Sequence, residues 1–114
     1  MASELIVVNT TGTTVYAAIR VPHKSNAGRW FDAVTGSFVA FVAGAWTTYA
    51  VAMTELGTTG LFEADMPAQA AAERELEVYY FQQTGGAPAM TDLKIGGSLF
   101  EMSDNWVATA ALNV

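Results

Sequence analysis

The stretch from Ala33 to Thr54, AVTGSFVAFVAGAWTTYAVAMT, runs for 22 residues without a charged side chain. A helix of this length could cross a bilayer, but its flanking residues are Asp32 and Glu55, where a spanning helix usually carries Lys or Arg on one side. About a third of the stretch is Gly, Ser or Thr. The pieces SFVAFVA and TTYAVAMTE are rich in β-branched and aromatic residues, and GAWTT separates them. We therefore predict two strands with a connection, and no membrane segment.

The same strand pattern continues along the chain. In LFEADM, Phe62, Ala64 and Met66 alternate with Glu63 and Asp65, which is typical of a half-buried strand. Turn signals such as TTGT, LGTTG and TGGAP separate the strand-length pieces. The segment PAQAAAERE is the one helix candidate, because a proline suits a first helical position and alanines favour helix. The pattern predicts an all-β, Ig-like antiparallel β-sandwich of about seven to nine short strands with at most one short helix.

The length of 114 residues predicts a single domain over residues 1–114. Residues 1–13 would form an N-terminal strand or arm, and residues 98–114 a C-terminal hairpin or arm. The sequence has no cysteine, which excludes disulfides and thiolate metal sites. The beginning, MASELIVVNT, lacks the basic start and long apolar stretch of a signal peptide, so we expect synthesis in a cytoplasm.

Charge argues against a nucleic-acid partner. Eleven acidic residues oppose five basic ones, giving a net charge of −6. Nucleic-acid binding draws on basic surface, which is scarce here. Arg20, Lys24 and Arg29 lie near His23 in the sequence, and a basic-patch adaptor built on these residues is the weakest of the functional hypotheses.

Candidate catalytic groups are isolated. His23 lies in a polar segment without an evident partner base or oxyanion site. Glu63 with Asp65, and Glu75 with Glu77, are carboxylate pairs two residues apart, a spacing compatible with glycoside hydrolysis or Ca²⁺ binding. A solvent-facing row on a half-buried strand has the same spacing. We predict no catalytic residue, no cofactor and no metal.

The apolar content of 52% exceeds what one small core needs. In ELEVYYFQQ, Leu76, Val78 and Tyr80 share one face, while Tyr79 and Phe81 place aromatic rings on the other. The segment WVATAALNV is apolar on both faces. A contiguous exposed apolar patch usually marks an interface, so the sequence predicts a homo-oligomer. Its interface residues would be Tyr79, Phe81, Trp106, Ala108, Ala110, Leu112 and Val114. Burial of the terminal strand within its own sandwich remains the alternative.

Four segments occur in an order that resembles a known domain: GRWFDAVTGSFVAF, WTTYAVAMTELGTTGLFEADMP, VYYFQQTGGAPAMTD and SLFEMSDNWV. Together they resemble a small β-sandwich domain of bacteriophage tail-fibre, baseplate and head-fibre-like proteins, over about residues 14 to 108. The matching positions are Trp46, Tyr49, Glu55, Gly60, Leu61, Pro67, Tyr79 or Tyr80, Gly85, Gly86, Asp92 and Trp106. The sequence departs from the pattern at residues 73–75, where a glycine is usual, and at SDN, where Asp-Gly is usual.

The resemblance implies a non-enzymatic bacteriophage virion structural protein, either a capsid decoration or head-fibre protein or a small tail component. It implies location in the virion, contacts with other virion proteins and self-association, with a trimer expected because phage fibres and many head decorations are trimeric. The alternative is a carbohydrate-binding or host-receptor-binding module whose exposed aromatic residues, Trp30 and Tyr79, contact sugars. The resemblance places Trp46 and Trp106 at packing positions.

Overall fold

The computed structural model describes residues 5–21, 28–68 and 75–101. Nine β-strands lie within these residues. They are β1 (Leu5–Val8), β2 (Thr14–Arg20), β3 (Trp30–Asp32), β4 (Ser37–Val39), β5 (Val51–Ala52), β6 (Thr54–Glu55), β7 (Leu61–Ala64), β8 (Glu75–Gln83) and β9 (Leu93–Glu101). A 3₁₀ helix, Ala43–Tyr49, separates β4 from β5.

The strands form two antiparallel sheets. The smaller sheet has the order β1-β7-β6, and the larger has the order β4-β3-β2-β8-β9, with β5 also pairing with β2. Every strand pair in the described chain is antiparallel. The predicted all-β, sandwich-like class is therefore confirmed.

The main core lies between the two sheets. Alternate residues of β2 and β8 point into it, as the two-residue period of a strand requires. Its buried members are Leu5, Ala17, Ile19, Val21, Phe31, Met66, Leu76, Val78, Tyr80 and Phe100. Strand β1 contributes Leu5 and Val7 to this core, whereas Ile6 and Val8 of the same strand are exposed on the opposite face of the smaller sheet.

A second, smaller core covers the other face of the larger sheet. Tyr16, Ala18 and Phe81 project from β2 and β8 away from the main core and pack against Trp46 and Tyr49 of the 3₁₀ helix. Consecutive buried residues in β2 follow from this arrangement, because both of its faces are covered. Part of the apolar excess noted in the sequence is therefore buried by the chain itself.

The uncharged stretch, residues 33–54, forms several short elements instead of one long one. The hairpin predicted around AVTG is present, with β3 and β4 paired from Trp30↔Val39 to Asp32↔Ser37. The piece TTYAVAMTE, expected to be one strand, instead completes the 3₁₀ helix and continues as the two short strands β5 and β6. The helix forms there because Trp46 and Tyr49, three residues apart, fall on one side of a 3₁₀ turn and cover the sheet.

The helix predicted over PAQAAAERE lies mostly on residues 69–74, outside the described residues. No helix within the described ranges combines the length and apolar character that a bilayer crossing requires.

Candidate interaction surfaces

Seven aromatic rings form one contiguous group on the outer face of the larger sheet, which we call the aromatic cluster. Its members are Tyr16, Trp30, Phe41, Trp46, Tyr49, Tyr79 and Phe81. The ring of Trp30 lies at its centre. The centroid of Trp30 is 5.6 Å from those of Phe41 and Trp46, 6.0 Å from Tyr49 and 6.3 Å from Tyr79. These separations are in the range in which aromatic pairs attract beyond their buried area.

Strand register brings these residues together. Ala18 of β2 pairs with Tyr79 of β8, and Arg20 pairs with both Trp30 and Glu77. Residues paired across neighbouring strands point to the same face of a sheet. Ala18 has a small side chain, and it is only 1% exposed because the larger rings around it cover it.

Hydrogen bonds fix the buried side of the cluster. The Nε1–H of Trp46 donates to the Tyr16 hydroxyl over 3.0 Å. That hydroxyl lies 2.8 Å from Asp92 Oδ2, to which it donates. The Asp92 carboxylate also accepts bonds from the Ala89 and Thr84 amides and from the Thr84 hydroxyl. Asp92 therefore joins the 84–92 connection between β8 and β9 to the 3₁₀ helix through Tyr16.

The same bonds set the ionisation of the two groups. Burial opposes ionisation of Asp92, but the hydrogen bonds from Ala89, Tyr16 and Thr84 outweigh it and lower the pKa of this carboxyl. Burial raises the pKa of the Tyr16 hydroxyl far above its ordinary value, and the nearby Asp92 charge raises it further. The pair is thus held as a carboxylate that accepts from a neutral phenol.

The solvent side of the cluster combines aromatic rings with charged groups. Phe41 is 43% exposed, while Trp30 and Tyr79 are partly exposed. Arg20 forms an ion pair with Glu77, whose Oε1 also accepts the Tyr79 hydroxyl over 2.8 Å.

Lys94 approaches from β9, with its Nζ 5.0 Å from the centroid of the Tyr79 ring, a cation–π geometry. Burial, followed by the bond to Glu77, raises the pKa of the Tyr79 hydroxyl. Tyr79 is therefore held as a neutral ring between an ion pair and a lysine.

A second candidate surface lies on the outer face of the smaller sheet, which we call the apolar face. Val8 of β1 pairs with Leu61 of β7, and the Leu56 amide donates to the Leu61 carbonyl over 2.8 Å. Val8, Leu61 and Leu56 therefore lie side by side on β1, on β7 and just after β6, and Ile6 lies two residues from Val8 on β1, where it pairs with Glu63. Val8 is 73% exposed, Leu56 53% and Ile6 50%.

The structure describes part of the interface predicted from the sequence. Phe81 is 8% exposed and packs within the aromatic cluster, whereas Tyr79 is partly exposed. Trp106, Ala108, Ala110, Leu112 and Val114 lie outside the described residues. Tyr79 and Trp30, the two residues predicted to bind glycans, are brought together with their ring centroids 6.3 Å apart. Trp46, which the resemblance places at a packing position, is 8% exposed.

The carboxylates predicted from spacing have separate surroundings. Glu63 and Asp65 line a shallow pocket with Glu55, next to β6. Glu77 is bound to Arg20 on the other sheet. Within residues 5–21, 28–68 and 75–101, no three His, Cys, Asp or Glu side chains are grouped so that they could hold a metal ion. His23 and Lys24 lie outside these ranges.

Sequence reasoning missed Phe41 and the apolar face. The alternation in ELIVVN contains the signal for Ile6 and Val8, since residues two apart share a face. Leu56 and Leu61 join that face only through the pairing of β6, β7 and β1, which the sequence does not display. Phe41 joins Trp30 only because the 3₁₀ helix folds back over the sheet.

Comparison with known proteins gives no matching family model, no matching curated protein and no matching solved structure.

Proposed function

We propose that this chain is a non-enzymatic structural protein of a bacteriophage virion, a capsid decoration or head-fibre protein or a small tail component, that acts by packing against copies of itself. The ordered motifs that resemble phage β-sandwich domains support the virion assignment. The apolar face carries the packing assignment, because Val8, Leu56 and Ile6 are large exposed apolar side chains on one sheet face, and adjoining exposed apolar residues usually mark an interface.

The energetics favour burial of the apolar face against another molecule. Complete burial of a Val, Leu or Ile side chain contributes about 1.5–3 kcal/mol, and Val8, Leu56 and Ile6 are each at least half exposed. Association must offset lost translational and rotational freedom, so several such side chains have to act together. Their position on one sheet face allows this. A trimer is the expected assembly.

The mass of the protein in solution tests the packing proposal. We expect sedimentation at micromolar concentration to give a multiple of the 12.1 kDa chain mass, with three copies favoured. Val8→Lys should shift the mass toward one copy, because it places a charge on the apolar face, and Leu56→Lys should do the same from the position just after β6. Lysine on an edge strand is well tolerated, so the fold should persist.

Val34→Lys is the matched control. Val34 is 78% exposed and lies in the turn between β3 and β4, away from the apolar face. This variant should keep the parental mass. A parental protein that sediments as a single copy would overturn the proposal, and so would equal behaviour of all three lysine variants. Electron microscopy of labelled particles tests the virion assignment separately. Absence of the label from both the head and the tail would contradict that assignment.

A further inference from the structure

The solvent side of the aromatic cluster has the composition of a ligand-binding surface. Trp30, Phe41 and Tyr79 come from β3, the connection after β4, and β8, and they form one partly exposed group of rings. Phe41 is 43% exposed, a large fraction for an aromatic side chain that contacts other rings. The rings rest on a rigid base, because Trp46 and Tyr49 are buried beneath them.

Polar groups border these rings on one side. Arg20 and Glu77 are paired, with 33% and 27% of their side chains exposed, so donors and acceptors face solvent together. Glu77 Oε1 is already bound by Arg20 and by the Tyr79 hydroxyl, which compensates its charge. The cation of Lys94 stands over the Tyr79 ring. Of the three basic residues in the described chain, two therefore border this surface, although the whole chain has a net charge of −6.

We propose that this surface binds a saccharide that carries a carboxylate, such as a uronic-acid unit. The weakly positive C–H face of a sugar ring packs on the electron-rich faces of Trp30 and Phe41. Hydroxyl groups, which both donate and accept, match the Arg20–Glu77 pair. The sugar carboxylate lies toward Lys94. This binding function is independent of the packing on the apolar face, which is on the other sheet.

A single-stranded nucleic acid is the less favoured ligand. Bases also stack on aromatic rings, but tight binding needs a positively charged groove that follows the phosphates. Here Glu77 lies within the surface, and among residues 5–21, 28–68 and 75–101 the cations seen in contact with its groups are Lys94 and the paired Arg20. A sugar hydroxyl can donate to the Glu77 carboxylate, and one sugar carboxylate needs one cation, whereas the successive phosphates of a strand need a longer run of cations.

Titration calorimetry at low salt tests the proposal with three probes: a glucuronic-acid oligosaccharide, a glucose oligosaccharide of equal length, and oligothymidylate. We expect the acidic saccharide to bind about tenfold more tightly than the neutral one, the scale of a single charge contact. Phe41→Ala should weaken the binding of both saccharides, because it removes an aromatic face on which a sugar ring stacks. Lys94→Gln should lower the affinity for the acidic saccharide to that for the neutral one. It should leave the affinity for the neutral saccharide unchanged.

Val34→Ala, an exposed apolar truncation outside the cluster, is the control and should bind like the parental protein. Circular dichroism of each variant confirms the fold, and Phe41 and Lys94 are chosen because neither is buried. Absence of saccharide binding at millimolar concentration would overturn the proposal. Tighter binding of oligothymidylate, or saccharide binding unaffected by both variants, would overturn it as well. Val8→Lys should retain saccharide binding, so failure here and failure of self-association are distinguishable.

Discussion

Gly60 is the residue at which the backbone of the smaller sheet tolerates no side chain. It has a φ of +78°, and a Cβ built on it would lie 2.6 Å from the carbonyl oxygen of Asn9. The Asn9 amide donates to the Gly60 carbonyl over 2.9 Å, which fixes the two chains at this distance. We expect Gly60→Ala to lower the free energy of unfolding by about 2–4 kcal/mol, measured by urea denaturation.

Gly57 provides the matched control in the same turn. Its φ is +62°, but no atom beyond its two neighbours in the chain lies within 4 Å of a Cβ built there. Gly57→Ala should therefore show only the cost of the left-handed conformation, about 1 kcal/mol. Equal losses in the two variants would contradict the assignment of the larger effect to the approach of Asn9.

Asp92 is a buried acceptor that four donors share. We expect Asp92→Asn to lower the free energy of unfolding by about 2–3 kcal/mol, because an amide replaces one acceptor oxygen by a donor and removes the charge. Asp32→Asn is the control. Asp32 uses only Oδ1 to accept the Val34 and Thr35 amides in the hairpin turn, and asparagine can do the same. Comparable losses at the two positions would contradict this account.

Among the elements, the 3₁₀ helix is held to the preceding connection by the Tyr49 hydroxyl. The Val42 amide donates to that hydroxyl over 2.9 Å. Tyr49→Phe should leave the ring packed but speed hydrogen exchange at the Val42 amide, with a loss of about 1 kcal/mol in stability. The Ala33 amide donates to the Thr48 carbonyl over 2.7 Å and should keep its protection. Unchanged exchange at Val42 would refute the role of the hydroxyl.

Some of these elements could be predicted from the sequence and others could not. The hairpin of β3 and β4 was predictable, because Asp32 begins a turn that Gly36, with φ +76°, ends. The faces of β8 were predictable from two-residue alternation. The 3₁₀ helix was not, since Trp46 and Tyr49 also suit a strand, and only the need to cover the second face of β2 and β8 decides between them. The proximity of Trp30 to Phe41 and Tyr79 depends on three separate elements.

For the whole molecule, we expect the free energy of unfolding to fall at both acidic and alkaline pH. The pKa values of Asp92 and Glu55 are lowered from ordinary values of 3.8 and 4.5. Hydrogen bonds from Thr11, Gly12 and Gly60 lower that of Glu55. A carboxyl with a lowered pKa stabilises the fold above its unfolded pKa, and this contribution is lost as the pH falls through the folded pKa.

At alkaline pH the direction is reversed, and stability falls as the pH rises. Tyr16 has a pKa raised above 10.0, so its contribution is complete below that value and declines as the pH rises beyond it, when the unfolded phenol ionises. We expect the free energy of unfolding to be nearly constant between about pH 6 and 9 and to fall on either side. Urea denaturation across pH checks this. Asp92→Asn should flatten the acid limb, and an unaltered limb would contradict the role of Asp92.

The pairing of the first two strands has a consequence for biosynthesis. Strand β1 pairs with Leu61–Ala64, and β2 pairs with β8 at residues 77–83. Strand β2 can pair with β3 soon after both are synthesised, but β1 and the other edge of β2 stay without their partners until residues 61–64 and 77–83 have been made. Pairing over such separations is slow and exposes unpaired edges. Both sheets are therefore expected to close late, with the apolar strand β1 in need of protection until β7 and β8 are released.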